Sequence, residues 1–220
     1  MGFSEMSKKT PETTEIKRPE LKGYKDIKSE GAMSKAELKE FWKNEIRGEN
    51  SGIEKAEKVY TDDNGEIYRI DDQLKPNTIY EINGYTYKTD DQGRIISAEG
   101  KLQIKNHEGK KTITDSREVV AHGEMKDSEE RGHLIGDRFN GREDLGNLVP
   151  MDAKLNRGDY KKMENTLAAA VKEGADVRMK VEPVYDSNSY RPESFKVTYS
   201  IDGDKEVVVF KNGGGDNSVK

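Results

Sequence analysis

Large apolar residues are scarce at the start of this chain and then settle into two different periods. From Met1 to about Glu30 the sequence is mostly Lys, Glu, Pro and Thr. Such a stretch buries too little surface to offset the entropy of ordering, so a linker or tail is expected. Ser34-Lys35-Ala36-Glu37 then has the form of a capping box. Leu38, Phe41, Trp42 and Ile46 follow at helical spacing and Gly48 supplies a stop. This predicts a short amphipathic helix over 34–47, peripheral to a compact domain that begins near Val59. Residues 1–58 thus read as a charged leader, 59–212 as the domain, and 213–220, with Gly213-Gly214-Gly215, as a flexible tail.

Within the domain, the first half alternates. Tyr80-Glu81-Ile82 and Tyr85-Thr86-Tyr87 flank Asn83-Gly84, a pair suited to the type I′ turn that matches strand twist, so a hairpin is predicted. Asp90-Asp91-Gln92-Gly93 marks a second turn, before strand-like Arg94-Ile95-Ile96 and Leu102-Gln103-Ile104. From about Gly158 to Glu173 the period changes: Tyr160, Met163, Leu167 and Val171 share one helical face, and Gly174 ends it. Strands return at 177–181, 195–199 and 207–210. Antiparallel strands around one main helix define an α+β fold.

Composition narrows the picture. At 220 residues the chain can hold one domain with a sizeable core plus extra sequence, but 31% hydrophobic against 37% charged residues implies that the core does not extend along the whole length. A net charge of −5 argues against a general polyanion-coating protein, although local basic clusters can still grip phosphates. The absence of cysteine excludes disulfides and thiolate metal sites. No apolar run approaches bilayer length, and the N-terminus has no signal-peptide apolar segment. Leaving the cell would require a specialised secretion system, or the chain being a piece of a longer one.

Chemistry concentrates in one region. Glu130-Arg131-Gly132-His133 precedes a short basic loop, then Asn147-Leu148-Val149-Pro150 and Leu155-Asn156-Arg157-Gly158. Hydrolysing a phosphodiester needs a deprotonated water, charge to stabilise the phosphorane, and help for the leaving oxygen. Histidine suits a base near neutral pH. The carboxamide oxygen of Asn156 is a hard, neutral ligand for Mg²⁺, with Mn²⁺ also acceptable to oxygen donors. Arg131 offers a planar fork to phosphate. Glu164 lies eight residues beyond Asn156, about 12 Å along a continuous helix, too far for both to bind one ion directly. The better arrangement puts Asn156 just before the helix and lets Glu164 act through a metal-bound water, with the helix N-terminus facing the phosphate. Arg138, Arg142, Arg157, Lys161 and Lys162 form the candidate phosphate-gripping set, and Arg191 a further candidate. His107 and His122 have no comparable company.

These residues resemble the DNA/RNA non-specific endonuclease family, whose active site is a ββα-metal (His-Me finger) module. Glu130-Arg131-Gly132-His133 is similar to its Asp-Arg-Gly-His motif, with Glu in place of Asp. Asn147-Leu148-Val149-Pro150 is similar to its Asn-x-x-Pro turn, and Leu155-Asn156 to Glu164 to its metal-binding helix. The resemblance, strongest to the branch at the C-termini of bacterial toxins, runs from about Val59 to Asn212. It implies that His133 activates water, Asn156 holds Mg²⁺, Glu164 orients metal-bound water, Arg131 contacts phosphate or the leaving group, and Asn147 keeps the site in shape. It also implies an arginine from an upstream strand, for which Arg94 and Arg117 are candidates. The expected substrates are DNA and RNA cut with little sequence preference, since backbone contacts carry no sequence information. An immunity protein is the expected partner and the target-cell cytoplasm the place of action; no membrane role is expected. The alternatives are a phage-encoded or DNA-processing nuclease, a module that holds nucleic acid without turnover, and a structural relic of the nuclease fold.

Overall fold

Seven antiparallel strands form the platform on which the rest of the molecule is built. The computed structural model describes residues 58–105 and 112–213, with the two-residue strands Lys17–Arg18, Glu54–Lys55 and Ser218–Val219. Lys17–Arg18 pairs with Glu54–Lys55; the helix expected over 34–47 lies outside the described residues. In chain order the domain has β1 (Val59–Thr61), β2 (Ile67–Ile70), β3 (Gln73–Leu74), β4 (Ile79–Ile82), β5 (Tyr85–Thr89), β6 (Ile95–Lys101), α1 (Arg117–Val120), β7 (Glu129–His133), β8 (Leu148–Asp152), α2 (Ala153–Arg157), α3 (Asp159–Lys172), β9 (Val177–Tyr185), β10 (Pro192–Ile201), β11 (Asp204–Lys211) and β12 (Ser218–Val219). The large sheet runs β12-β11-β10-β9-β6-β5-β4, with β1-β2-β3 and β7-β8 as separate small sheets. The architecture is α+β.

The β4–β5 hairpin turns at Asn83 (φ 55°) and Gly84 (φ 79°), the paired positive values that a type I′ turn demands. Strands expected at 94–96, 177–181, 195–199 and 207–210 are present in β6, β9, β10 and β11. Leu102–Ile104 differs: β6 ends at Lys101, and Leu102 leaves the ladder to bury its side chain in the core, its N–H donating to Val177 O at 2.8 Å. Residues 147–150 also differ. Apart from Asn147 they are strand β8, paired through Pro150 with Arg131 of β7, because Pro150 is tolerated at the rim of a two-stranded ribbon. In the expected tail, residues 214–217 lie outside the described residues, while Ser218–Val219 adds an edge strand against β11.

Helix α3 explains the core. Tyr160, Met163 and Leu167 are buried on one face, each worth about 1.5–3 kcal/mol when fully removed from water. Tyr160 meets Phe195 and Phe210 of the large sheet, 6.3 and 5.5 Å between centroids, and donates its hydroxyl to Leu134 O. A second aromatic file, Tyr68, Tyr80 and Tyr87, stacks at 4.6 and 5.1 Å and ties the β2 and β4–β5 regions together. Asn212, buried just after β11, stitches the small hairpin to the platform. Its amide donates to Pro150 O and Pro192 O, and its carbonyl oxygen accepts from Asp152 N at 2.7 Å.

Candidate active site

Strand β7 lays out the site. Its two ends carry Glu130 and His133, about 10 Å apart at ordinary strand rise. Strand β8 brings the chain back antiparallel and delivers it into α2, so that Asn156 returns to the Glu130 end.

At that end, Asn156 Nδ2 donates to Glu130 Oε2 at 3.0 Å, and Arg157 forms an ion pair with the other oxygen of Glu130. Burial alone would raise the Glu130 carboxyl, but the Arg157 and Asn156 hydrogen bonds outweigh it and hold the group below its ordinary value. Asn156 does not act as an N-cap. Asp152 caps α2 by accepting from Lys154 N and Leu155 N, and Asn156 sits inside that single turn. Gly158, at φ −103° and ψ −107°, then breaks the helix before α3 begins. Asn156 therefore precedes the Glu164 helix, but as part of a helical turn of its own.

At the other end, His133 Nε2 lies 2.8 Å from Glu143 Oε2; the imidazole is 20% exposed and the Glu143 side chain only 7%. Glu164 projects from α3 toward the same place. Its carboxylate packs on Gly136, where a Cβ would lie 2.2 Å from Oε1, so no other residue fits at 136 without moving Glu164. Burial pushes the Glu164 carboxyl up to about 7, against the opposing fields of Arg138, His133 and Lys161. These three cationic or protonatable groups are thus gathered around Glu164. Lys161 is exposed, and Arg138, half-buried on a short 3₁₀ turn (Asp137–Phe139), donates to Asn165 Oδ1.

Between the two ends, Arg131 is half-buried and spends Nη1 on Asp115 O at 2.7 Å. Asn147 is fully buried beneath the loop. Its Oδ1 accepts from Ile135 N and the Tyr87 hydroxyl, and Nδ2 donates to Ile135 O and Arg142 O. Every hydrogen-bonding position of that amide is used, so it can brace the loop and cannot reach a substrate.

The structure draws other candidate residues away. Arg191 is held in an ion pair with buried Glu129, with Nη2 on Asn212 O, which turns part of its guanidinium toward structural partners. Arg142 pairs with buried Asp144, and Lys162 pairs with Asp159. Arg94 packs over Tyr185 and pairs with Asp90 in the turn before β6, and Arg117 lies on helix α1 and donates to Lys126 O and Glu129 O. Neither is an upstream-strand arginine facing the site. Arg69 on β2 is buried and makes a bidentate pair with Asp115, at 2.6 and 2.7 Å. Asp115 in turn receives Leu145 N and, through its carbonyl, Arg131. Arg69, Asp115 and Glu143 lie outside the motifs; in so charged a sequence, only their burial sets them apart from solvated residues.

Among the described residues no cluster of three or more His, Asp or Glu could enclose an ion. The donor set fits a different type of metal, one held loosely through water. With Nδ2 committed to Glu130, the Asn156 amide turns its oxygen away from that carboxylate, leaving a neutral oxygen donor of the kind that suits a largely hydrated Mg²⁺.

A strand pair delivering a histidine and an asparagine-bearing helix is the layout of a ββα nuclease module. The model of the DNA/RNA non-specific endonuclease family matches residues 76–203, more than half of the chain, and the chain belongs to that family of hydrolytic nucleases. The type VII secretion system protein EssD of Staphylococcus aureus (strain USA300) is 32% identical over 143 residues, covering 61% of this chain and 23% of the relative. EssD of strain NCTC 8325 / PS 47 matches equally. The chain thus spans less than a quarter of the length of these curated relatives. Among solved structures, the Sda1 nuclease with bound zinc ion is 27% identical with a TM-score of 0.36, covering 39% of each chain. An extracellular endonuclease is 20% identical with a TM-score of 0.42, covering 61% of this chain and 81% of that one.

Proposed function

We propose that this chain is a metal-dependent endonuclease that hydrolyses the phosphodiester bonds of DNA and RNA without reading their sequence. The observation that carries the reading is the shared strand. The Glu130–Asn156 contact at one end of β7 sets a metal-binding oxygen, and the other end presents a partly exposed imidazole. A span of about 10 Å accommodates one phosphate and its attacking water between the two.

In this reading His133 accepts the proton of the attacking water, and Arg131 offers its unengaged guanidinium N–H groups to a phosphate oxygen. Asn156 holds a divalent ion, Mg²⁺ or Mn²⁺, which would supply positive charge to the phosphorane and the departing oxygen. Glu164 orients water on the ion's far side. Lys161 and Arg138 guide the backbone toward the site, and Arg157 shares its charge between Glu130 and substrate. Asn147 holds the loop in shape. Non-specific cutting accords with candidate groups directed at phosphate, since contacts to the backbone carry no sequence information.

The biological setting we propose is that of a toxin domain. The likeness to EssD, a type VII secretion system protein by name, motivates delivery by a specialised secretion system into a target-cell cytoplasm and restraint by an immunity protein. Among the described residues no helix is long and apolar enough to cross a membrane.

The test is digestion of duplex DNA, single-stranded DNA and RNA with Mg²⁺, with and without EDTA, beside His133→Ala. Cleavage should require the metal and fall by about 10²–10⁴-fold in the folded variant, the usual worth of a general base. A His133→Ala protein that cuts at the wild-type rate sinks the assignment. Cytoplasmic expression of the full chain should arrest growth, and expression of the variant should not.

A further inference from the structure

We infer that Glu143 is the positioning residue that fixes the tautomer and aim of His133, an inference resting on the nuclease reading of that histidine. The side of Glu143 that faces the imidazole is an oxygen 2.8 Å from Nε2. A carboxylate oxygen only accepts, so Nε2 must carry the hydrogen, and the lone pair of the neutral ring is left on Nδ1. The base of the reaction is then Nδ1, on an imidazole that is 20% exposed.

Glu143 is built to hold that position. It lies in the loop between β7 and β8 and is almost wholly buried, unlike a solvated glutamate. Its main chain is clamped by Thr114, whose N–H and hydroxyl both donate to Glu143 O, at 2.9 and 3.3 Å. On either side the loop is pinned further: Asn147 Nδ2 holds Arg142 O, and the Asp144 carboxylate accepts from Gly146 N. The backbone from which the carboxyl group reaches the ring is thus held in place.

The second oxygen supports the same role. Glu143 Oε1 and Asp137 Oδ1 are both buried with no hydrogen-bond donor among the described residues, and Asp137 is a neighbour of both Glu143 and His133. Lys105 Nζ, 2.6 Å from Asp137 Oδ2, anchors the far end. The result is a largely enclosed chain, Lys105–Asp137–Glu143–His133, in which the Glu143 oxygen facing Nε2 acts as the acceptor. When His133 takes the proton of water at Nδ1, the new imidazolium charge develops against this chain. The arrangement uses a side chain that no motif in the sequence singles out.

The decisive measurement needs no variant. In the ¹⁵N spectrum of the wild-type protein, with His133 signals assigned by their loss in His133→Ala, neutral His133 should carry its hydrogen on Nε2. A hydrogen on Nδ1, or an even mixture, overturns the inference. Glu143→Ala should then mix the two tautomers and lower kcat by about 10²-fold, with KM changed by no more than about twofold, since misplacing a reacting group by an ångström costs about that much. Glu143→Gln, whose carboxamide oxygen can accept at the same point, should stay within about tenfold of wild type. A Glu143→Ala protein with the wild-type tautomer and kcat also overturns it. If the wild-type protein leaves nucleic acid intact, the nuclease reading fails, while the spectrum still decides what Glu143 does.

Discussion

The two ends of strand β7 solve opposite problems. At the Glu130 end Glu130 and Asn156 are half-buried and the balancing charge comes from outside: Arg157, 74% exposed, leans on Glu130. At the His133 end Glu143 is buried; at the half-buried Asp137 burial is outweighed by Lys105, which holds the carboxyl below its ordinary value, and at Glu164 burial prevails and pushes the carboxyl up. An ion that keeps most of its water needs the first environment, because it exchanges ligands with solvent. A base needs the second, because a fixed ring with a defined lone pair must not be re-solvated at each turn. One strand three residues long between functional groups separates a wet half from a dry half.

The sharpest way to break this division is at the wet end. Asn156→Ala should remove the fixed oxygen and lower the Mg²⁺-supported rate on plasmid DNA by about three powers of ten, the several kcal/mol a catalytic ion contributes. A rate within twofold of wild type would mean that the ion, if any, sits elsewhere. Glu130→Gln is milder. It loosens the aim of the Asn156 amide and releases Arg157, so the Mg²⁺ concentration giving half-maximal rate should rise about tenfold to a hundredfold, while the rate at saturating Mg²⁺ recovers. An unchanged Mg²⁺ titration would show that Glu130 does not hold the ligand.

The dry end gives the smallest effect and the clearest sign. Burial raises the Glu164 carboxyl to about 7 in the folded protein from its ordinary 4.5. A carboxyl with a raised folded value costs nothing below pH 4.5, where it is protonated in both states. It destabilises increasingly between pH 4.5 and 7, where only the unfolded state has released its proton, and by a constant amount above 7, where the folded state must bury a charge. With EDTA present, Glu164→Gln should therefore be more stable than wild type at pH 8, by about 1–2 kcal/mol after allowance for partial exposure, and equal to it at pH 4. Thermal unfolding at the two pH values reads this directly; a variant less stable at pH 8 contradicts it.

Much of this was legible in the sequence where a local rule governs. Asn83-Gly84 dictates its own turn, Gly174 ends α3 with φ 94°, and the face of Tyr160, Met163 and Leu167 announces the helix. The motif histidine and asparagine also stand out by spacing. What escaped is set by tertiary position. Glu143 and Arg69 look like any charged residue until the fold buries them, and Arg191 looks like a phosphate ligand until Glu129 claims it. Pro150 and its neighbours suggested a turn because proline usually marks one, yet a two-stranded ribbon leaves room for it. The break at Gly158 and the cap at Asp152 depend on how β8 enters the turn, which no periodicity reports.

Asn212 has a consequence for how the molecule comes into being. A chain interrupted just before it would already contain His133, Asn147, Asn156 and Glu164, yet would lack the three hydrogen bonds that fasten the second strand of the hairpin to the platform. During synthesis, which proceeds from the N-terminus, the nuclease hairpin gains its last fastener only once the strand leading to Asn212 has been made.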